Sequence, residues 1–155
     1  MPDFATNDLA FAIGHHLLIF ALAGVLAFEI GVLRVGLTAV DIRRLGRVDI
    51  WYGILAALIL AVGFSRAVFA AKGWAYYSHN LFFWMKIGTF ALVGLLSILP
   101  TVAIIGWRGA LKTNPAFLPD DGTVRSLRRA LWAEAILFAF IPVFAAVMAR
   151  GYGSF

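Results

Sequence analysis

The sequence predicts an all-α integral membrane protein, a four-helix bundle forming a single transmembrane domain over residues 1–155. Three observations carry that expectation. Of the 155 residues 63% are hydrophobic, only 14% are charged, and the charges are clustered so that four stretches are left nearly free of them. Each stretch has roughly 20 or more residues, enough to cross a ~30 Å hydrocarbon core. A soluble domain is about 45–50% apolar and about 25% charged, so a soluble enzyme is disfavoured. The formal charge of +5 in so apolar a chain points to cytoplasmic loops and anionic headgroups rather than to nucleic acid. The absence of cysteine removes disulfides, thiolate metal sites and Cys nucleophiles.

The first span is expected over residues 9–33, with Thr6, Asn7 and Asp8 as capping oxygens. Asp3 and Asp8 stand where a cleaved signal would need a basic region, and the apolar run exceeds a signal's core. The second span is expected over 51–71, with Asp49 as its cap. The third covers 81–107 and the fourth 130–149. In lipid an open strand leaves backbone groups unsatisfied, and no alternating pattern suggests a barrel, so all four are helices. Between them, residues 38–46 read as a short interfacial helix, and Pro115, Pro119, Asp120, Asp121 and Gly122 break the chain before a helical lead-in at Thr123.

Loop charges set the orientation. Residues 34–50 hold Arg34, Arg43, Arg44 and Arg47, and residues 108–129 hold Arg108, Lys112, Arg125, Arg128 and Arg129. Lys72 and Arg150 are the basic residues of the opposite side. The positive-inside rule then predicts a multi-pass protein of the bacterial cytoplasmic membrane with both termini outside. Trp51, Tyr52, Trp107 and Trp132 read as interface anchors.

Four charged side chains fall inside the spans: Glu29, Arg66, Lys86 and Glu134, joined by His15 and His16. Buried ionisable groups are costly in a membrane and by default mark a site. At about 1.5 Å per residue, His15, His16, Arg66 and Lys86 share the outer half, while Glu29 and Glu134 sit close to the inner face. Helical phase gives each helix one polar seam: Asp8, His15, Leu22 and Glu29; Tyr52, Ile59, Gly63 and Arg66; Lys86, Thr89, Val93 and Ser97; Glu134, Phe138 and Ile141. Ala23, Ala27 and Gly31 form a small-residue strip for close helix approach, a candidate homo-oligomer contact. Consecutive histidines diverge by 100°, so one serves the seam and the other a helix contact or second site.

Two imidazoles, an arginine and a lysine in an outer pocket fit haem b: a neutral imidazole binds the iron, and cations meet the propionates. His15 or His16 is the axial ligand, Arg66 the propionate partner, and Lys86 a propionate partner or a second metal ligand. His79 and Met148 are further sixth-ligand candidates. A zinc or copper site is less suited, because adjacent histidines do not converge. Glu29 and Glu134 read equally as a proton path or as solvated or ion-paired groups beside Arg34 and Arg129.

The segment Phe83-Trp84-Met85-Lys86-Ile87-Gly88, the helix-one histidines and the stretch Arg43-Arg44-Leu45-Gly46-Arg47 resemble a group of uncharacterised bacterial four-helix inner-membrane proteins. More distantly they resemble the haem-containing membrane protoporphyrinogen oxidases and the copper-resistance D proteins. The oxidase resemblance implies haem b held by a helix-one His, here His15 or His16, with Lys86 on helix three. The expected function is b-type haem binding with electron transfer or a haem-linked oxidoreductase activity, partnered by the bilayer and by quinone or another redox protein. The alternative is a small transporter or accessory subunit without haem, for which Pro100 and Pro142 would break helices.

Overall fold

The computed structural model describes the backbone of residues 4–69 and 73–155, and side chains from Leu9 onward outside that gap. Five helices follow in order: α1 (Phe4–Val32), α2 (Ala39–Phe69), the short α3 (Gly73–Ser78), α4 (Leu81–Thr113) and α5 (Asp121–Ala149). All but α3 are long and apolar enough to cross a membrane. α1 already runs through Thr6–Asp8, whose side chains lie outside the described residues. The same holds for the expected end of the second span at Ala71.

α2 is one helix where the sequence suggests an interfacial helix followed by a separate span. Its start is a capping box: Thr38 Oγ1 accepts from the Asp41 amide at 3.2 Å, and Asp41 Oδ2 accepts from the Thr38 amide at 3.0 Å. Gly36, at φ 85°, supplies the left-handed turn between α1 and that cap. The cluster Arg43, Arg44, Arg47 and Asp49 interrupts hydropathy but not helicity. Asp49 therefore caps nothing, and accepts instead from Thr101 Oγ1 of α4 at 2.5 Å.

α4 starts where Asn80 accepts from the amides of Phe82 and Phe83. Asp120 caps α5 by accepting from the Thr123 amide at 2.9 Å. Both helices are continuous through Pro100 and Pro142, so neither proline breaks its helix.

α1 packs along α2 and α5 along α4, giving two antiparallel hairpins placed side by side. The core between them contains Leu22, Leu26, Ile59, Val93, Ile104, Leu131 and Phe138. Tyr52 and Trp107 are buried in the bundle, whereas Trp51 and Trp132 are exposed; of the four expected anchors, two are core residues. Exposed leucine, isoleucine, valine and phenylalanine cover the outside, the surface a lipid-immersed protein presents.

Arginines tie the hairpins at the end that carries the long loops. Arg108 Nη1 donates to the Gly46 carbonyl at 3.2 Å, and Arg128 Nη1 donates to the Ile30 and Leu33 carbonyls at 2.6 and 2.8 Å. The Arg108 side chain lies across Gly46 where a Cβ would stand. Gly46→Ala is therefore expected to push Arg108 off its carbonyl and lower stability by about 1–3 kcal/mol, the usual cost of overpacking. Thermal unfolding in detergent checks this, and an unchanged midpoint would refute it.

At the opposite end the C-terminal turn clasps the start of α4. The Leu81 amide donates to Gly153 O at 2.8 Å, the Phe155 amide to His79 O at 3.1 Å, and Asn80 Nδ2 to Tyr152 O at 2.9 Å.

Candidate functional site

Two polar layers separated by an apolar plug occupy the bundle. The first layer, away from the looped end, is a cleft of about 700 Å³ between the first half of α1 and the last half of α5, within the size range of sites for cofactor-sized ligands. It exists because Arg128 draws α1 and α5 together at the looped end, while Ala23, Ala139, Ala145 and Ala146 leave room between them at the other. α2 contributes Gly63 and Arg66, and α4 contributes Phe83 and Lys86. Tyr76 and Tyr77 of α3 also line the cleft, and the Tyr76 hydroxyl donates to Met148 O of α5 at 3.1 Å.

The histidines divide their roles in the way helical phase demands. His15 is half-buried and its ring packs on α2 where Gly63 has no side chain; a Cβ there would sit 3.1 Å from His15 Cε1. Its Nδ1 is buried without a hydrogen-bond partner. His16 is exposed along the cleft, and its Nδ1 lies 2.6 Å from the Ala12 carbonyl. A carbonyl only accepts, so His16 Nδ1 carries the proton and, in the neutral ring, Nε2 keeps its lone pair. The two rings meet edge to face with centroids 6.3 Å apart.

Lys86 Nζ lies over the Phe83 ring, 5.3 Å from its centroid, a cation–π contact. Arg66 lines the same cleft and stands within electrostatic reach of Lys86. Two cations in a largely apolar cleft favour an anionic occupant. Met148 also lines the cleft and is buried.

His79 does not join them. It sits exposed beyond the cleft, with Nδ1 2.9 Å from Ala75 O and its ring against Phe155. Ala23 lines the cleft, whereas Ala27 and Gly31 are exposed. The strip is thus divided between the cleft and the outer surface. Among the described residues no three His, Asp or Glu side chains gather tightly enough to hold a metal ion by themselves.

The second polar layer lies in the looped half. Glu134 is fully buried and Glu29 is 3% exposed, which disfavours the solvated reading, one of the two readings the sequence left equally open. The Tyr52 hydroxyl donates to Glu134 Oε1, while Glu134 Oε2 and Glu29 Oε1 have no hydrogen-bond partner. Asp49 stands within electrostatic reach of both glutamates. Between the layers, Leu22, Ile59, Val93 and Phe138 fill the bundle.

Sequence reasoning did not foresee Tyr52 as a partner of Glu134, nor Arg128 and Arg108 as carbonyl ligands. The one available signal was phase, since Tyr52 falls on the polar seam of its helix. No curated protein and no solved structure matches the chain at a meaningful level. A family model does, over residues 7–153, nearly the whole length. With four apolar helices around a polar interior, the chain belongs to the family described as predicted membrane protein (DUF2214).

Proposed function

We propose that the protein is a cytoplasmic-membrane haem b carrier of bacteria that uses the α1–α5 cleft to hold the cofactor and exchanges electrons with quinone or another redox protein. The observation that carries this reading is the cleft's composition: two imidazoles on one wall, Arg66 and Lys86 beside them, and apolar side chains around the rest. Bound haem would supply one-electron chemistry, which belongs to the cofactor.

The chain's own groups would do the following. His16 would hold the iron through Nε2, its ring oriented and its tautomer fixed by the Ala12 carbonyl, as metal-binding histidines are commonly oriented by a carbonyl on the other ring nitrogen. His15 stands beside it, held on Gly63. Arg66 and Lys86 would balance the propionates. Ile19, Phe138 and Ile141 keep water from the buried part of the cleft. Arg34 in the α1–α2 connection and the basic residues at the adjoining ends of α2, α4 and α5 support an orientation with that end of the bundle in the cytoplasm and both termini outside.

The test is an absorption spectrum of protein purified in detergent from haem-supplemented cells. A Soret band and a b-type pyridine haemochrome are expected, with loss of the band in His16→Ala at unchanged helical content. Arg66→Ala is expected to weaken haem binding roughly ten- to 150-fold, the equivalent of about 1.5–3 kcal/mol for a charge-assisted contact. No Soret band in the wild type would overturn the proposal, and an unaffected Arg66→Ala would remove the propionate assignment. The exposed lips of the cleft, Phe20 and Pro142, favour a second reading, a lipid with an anionic headgroup held without haem. A co-purified acidic lipid together with a featureless spectrum would select it.

A further inference from the structure

The second polar layer is used by none of the roles assigned to the cleft, and its burial demands an account. Carboxyl oxygens without partners are rare in protein interiors, because an ionised carboxylate taken out of water costs far more than a neutral one. Here two such oxygens, on Glu29 of α1 and Glu134 of α5, face the same part of the bundle from different helices. Among the described residues no salt bridge joins a cation to either of them. Arg108 of α4 and Arg128 of α5, at the looped end, are turned to the backbone carbonyls of Gly46, Ile30 and Leu33. Arg44 pairs instead with Asp41 at 3.9 Å, near the start of α2.

We propose that Glu29 and Glu134, with Tyr52 as hydrogen-bond donor, form a proton-binding site open only toward the looped end of the bundle. Uptake forms an O–H bond on a glutamate oxygen and breaks one in hydronium or water; release reverses this, and no electron moves. α1 contributes Glu29, α2 contributes Asp49 and Tyr52, α4 contributes the Thr101 hydroxyl, and α5 contributes Glu134. Asp49 is half-buried and lies about one helical turn from Tyr52 toward the loops, where its bond to Thr101 holds it between the glutamates and water. Passage to the cleft is closed by Leu22, Ile59, Val93 and Phe138, whose apolar side chains offer no proton acceptor. The Tyr52 bond occupies one oxygen of Glu134 and leaves Oε2 for the proton. The site does not depend on what the cleft binds.

Infrared spectra of the wild type in neutral-lipid vesicles test it. At neutral pH exposed carboxyl groups are ionised, so a carbonyl band of a protonated carboxylic acid, displaced on exchange into D2O, is expected from this site alone. The Glu29→Gln, Glu134→Gln double variant is expected to lose the band, and Tyr52→Phe to keep it at a shifted frequency with unchanged helical content. Absence of the band in the wild type, its survival in the double variant, or an unmoved band in Tyr52→Phe would each overturn the assignment. Should the double variant fail to fold, the wild-type and Tyr52→Phe spectra decide the matter between them.

Discussion

Arg128→Met is expected to lower the stability of the detergent-solubilised protein by about 2–4 kcal/mol, read as a fall in the thermal unfolding midpoint followed by circular dichroism. One guanidinium nitrogen serves two carbonyls at the end of α1, those of Ile30 and Leu33. The last carbonyls of a helix have no partner within it, and a cation there also meets the negative end of the helix dipole. Hydrogen bonds to a charged group contribute about 1.5–3 kcal/mol each, and partial hydration of the carbonyls in the variant reduces the sum. Methionine keeps much of the side-chain volume, so lost packing is a small part of the effect. Arg128→Lys is expected to recover part of the loss, because an ammonium supplies charge and donors without the guanidinium's reach. Equal midpoints for wild type and Arg128→Met would show that α1 and α5 are held together by packing alone.

Gly63→Leu is expected to weaken retention of the proposed haem in the cleft while leaving helical content intact. His15 packs where Gly63 has no Cβ, at the 3.1 Å approach that a substituted alanine would make. Alanine needs the imidazole to give by a few tenths of an ångström, and its effect should be small. Leucine needs space that the ring and the cleft now share. Overpacking of about 1–3 kcal/mol corresponds to roughly five- to 150-fold weaker binding. Haem absorbance per protein, measured across glycine, alanine and leucine, should fall in that order with the main drop at leucine. A leucine variant that retains full absorbance would place the ligand away from the α1–α2 contact.

The apolar runs and their polar seams made the four long helices and the two polar depths legible in the sequence. Residues brought together by one helix's own periodicity were the ones read correctly. Leu22 and Glu29 are buried on one line of α1, and Ile59 and Tyr52 on one line of α2. What was missed depends on partners far along the chain. Tyr52 beside Trp51 has the look of an interface anchor, and only α5, 82 residues away, makes it a donor to Glu134. Arg128 counts toward topology until α1 brings it carbonyls from 95 and 98 residues away. Hydropathy also hides the length of α2, because Arg43, Arg44, Arg47 and Asp49 lower the apolar score while the helical hydrogen bonds continue beneath them. The orientation of the His16 ring is set locally, by a carbonyl four residues earlier.

The clasp between the last residues and the start of α4 has a practical consequence for handling the protein. Asn80 binds both the first amides of α4 and the carbonyl of Tyr152, and Gly153 at φ 82° lies against Phe82, whose ring a Cβ would meet at 2.5 Å. An affinity tag or fluorescent fusion joined directly after Phe155 would therefore begin its path beside His79 and pull on the cap of α4, a few residues from Lys86. The exposed connection around Asn114 and Leu118, at the other end of the bundle, is the better place for an inserted epitope or a labelling cysteine, which in this chain would be the sole thiol.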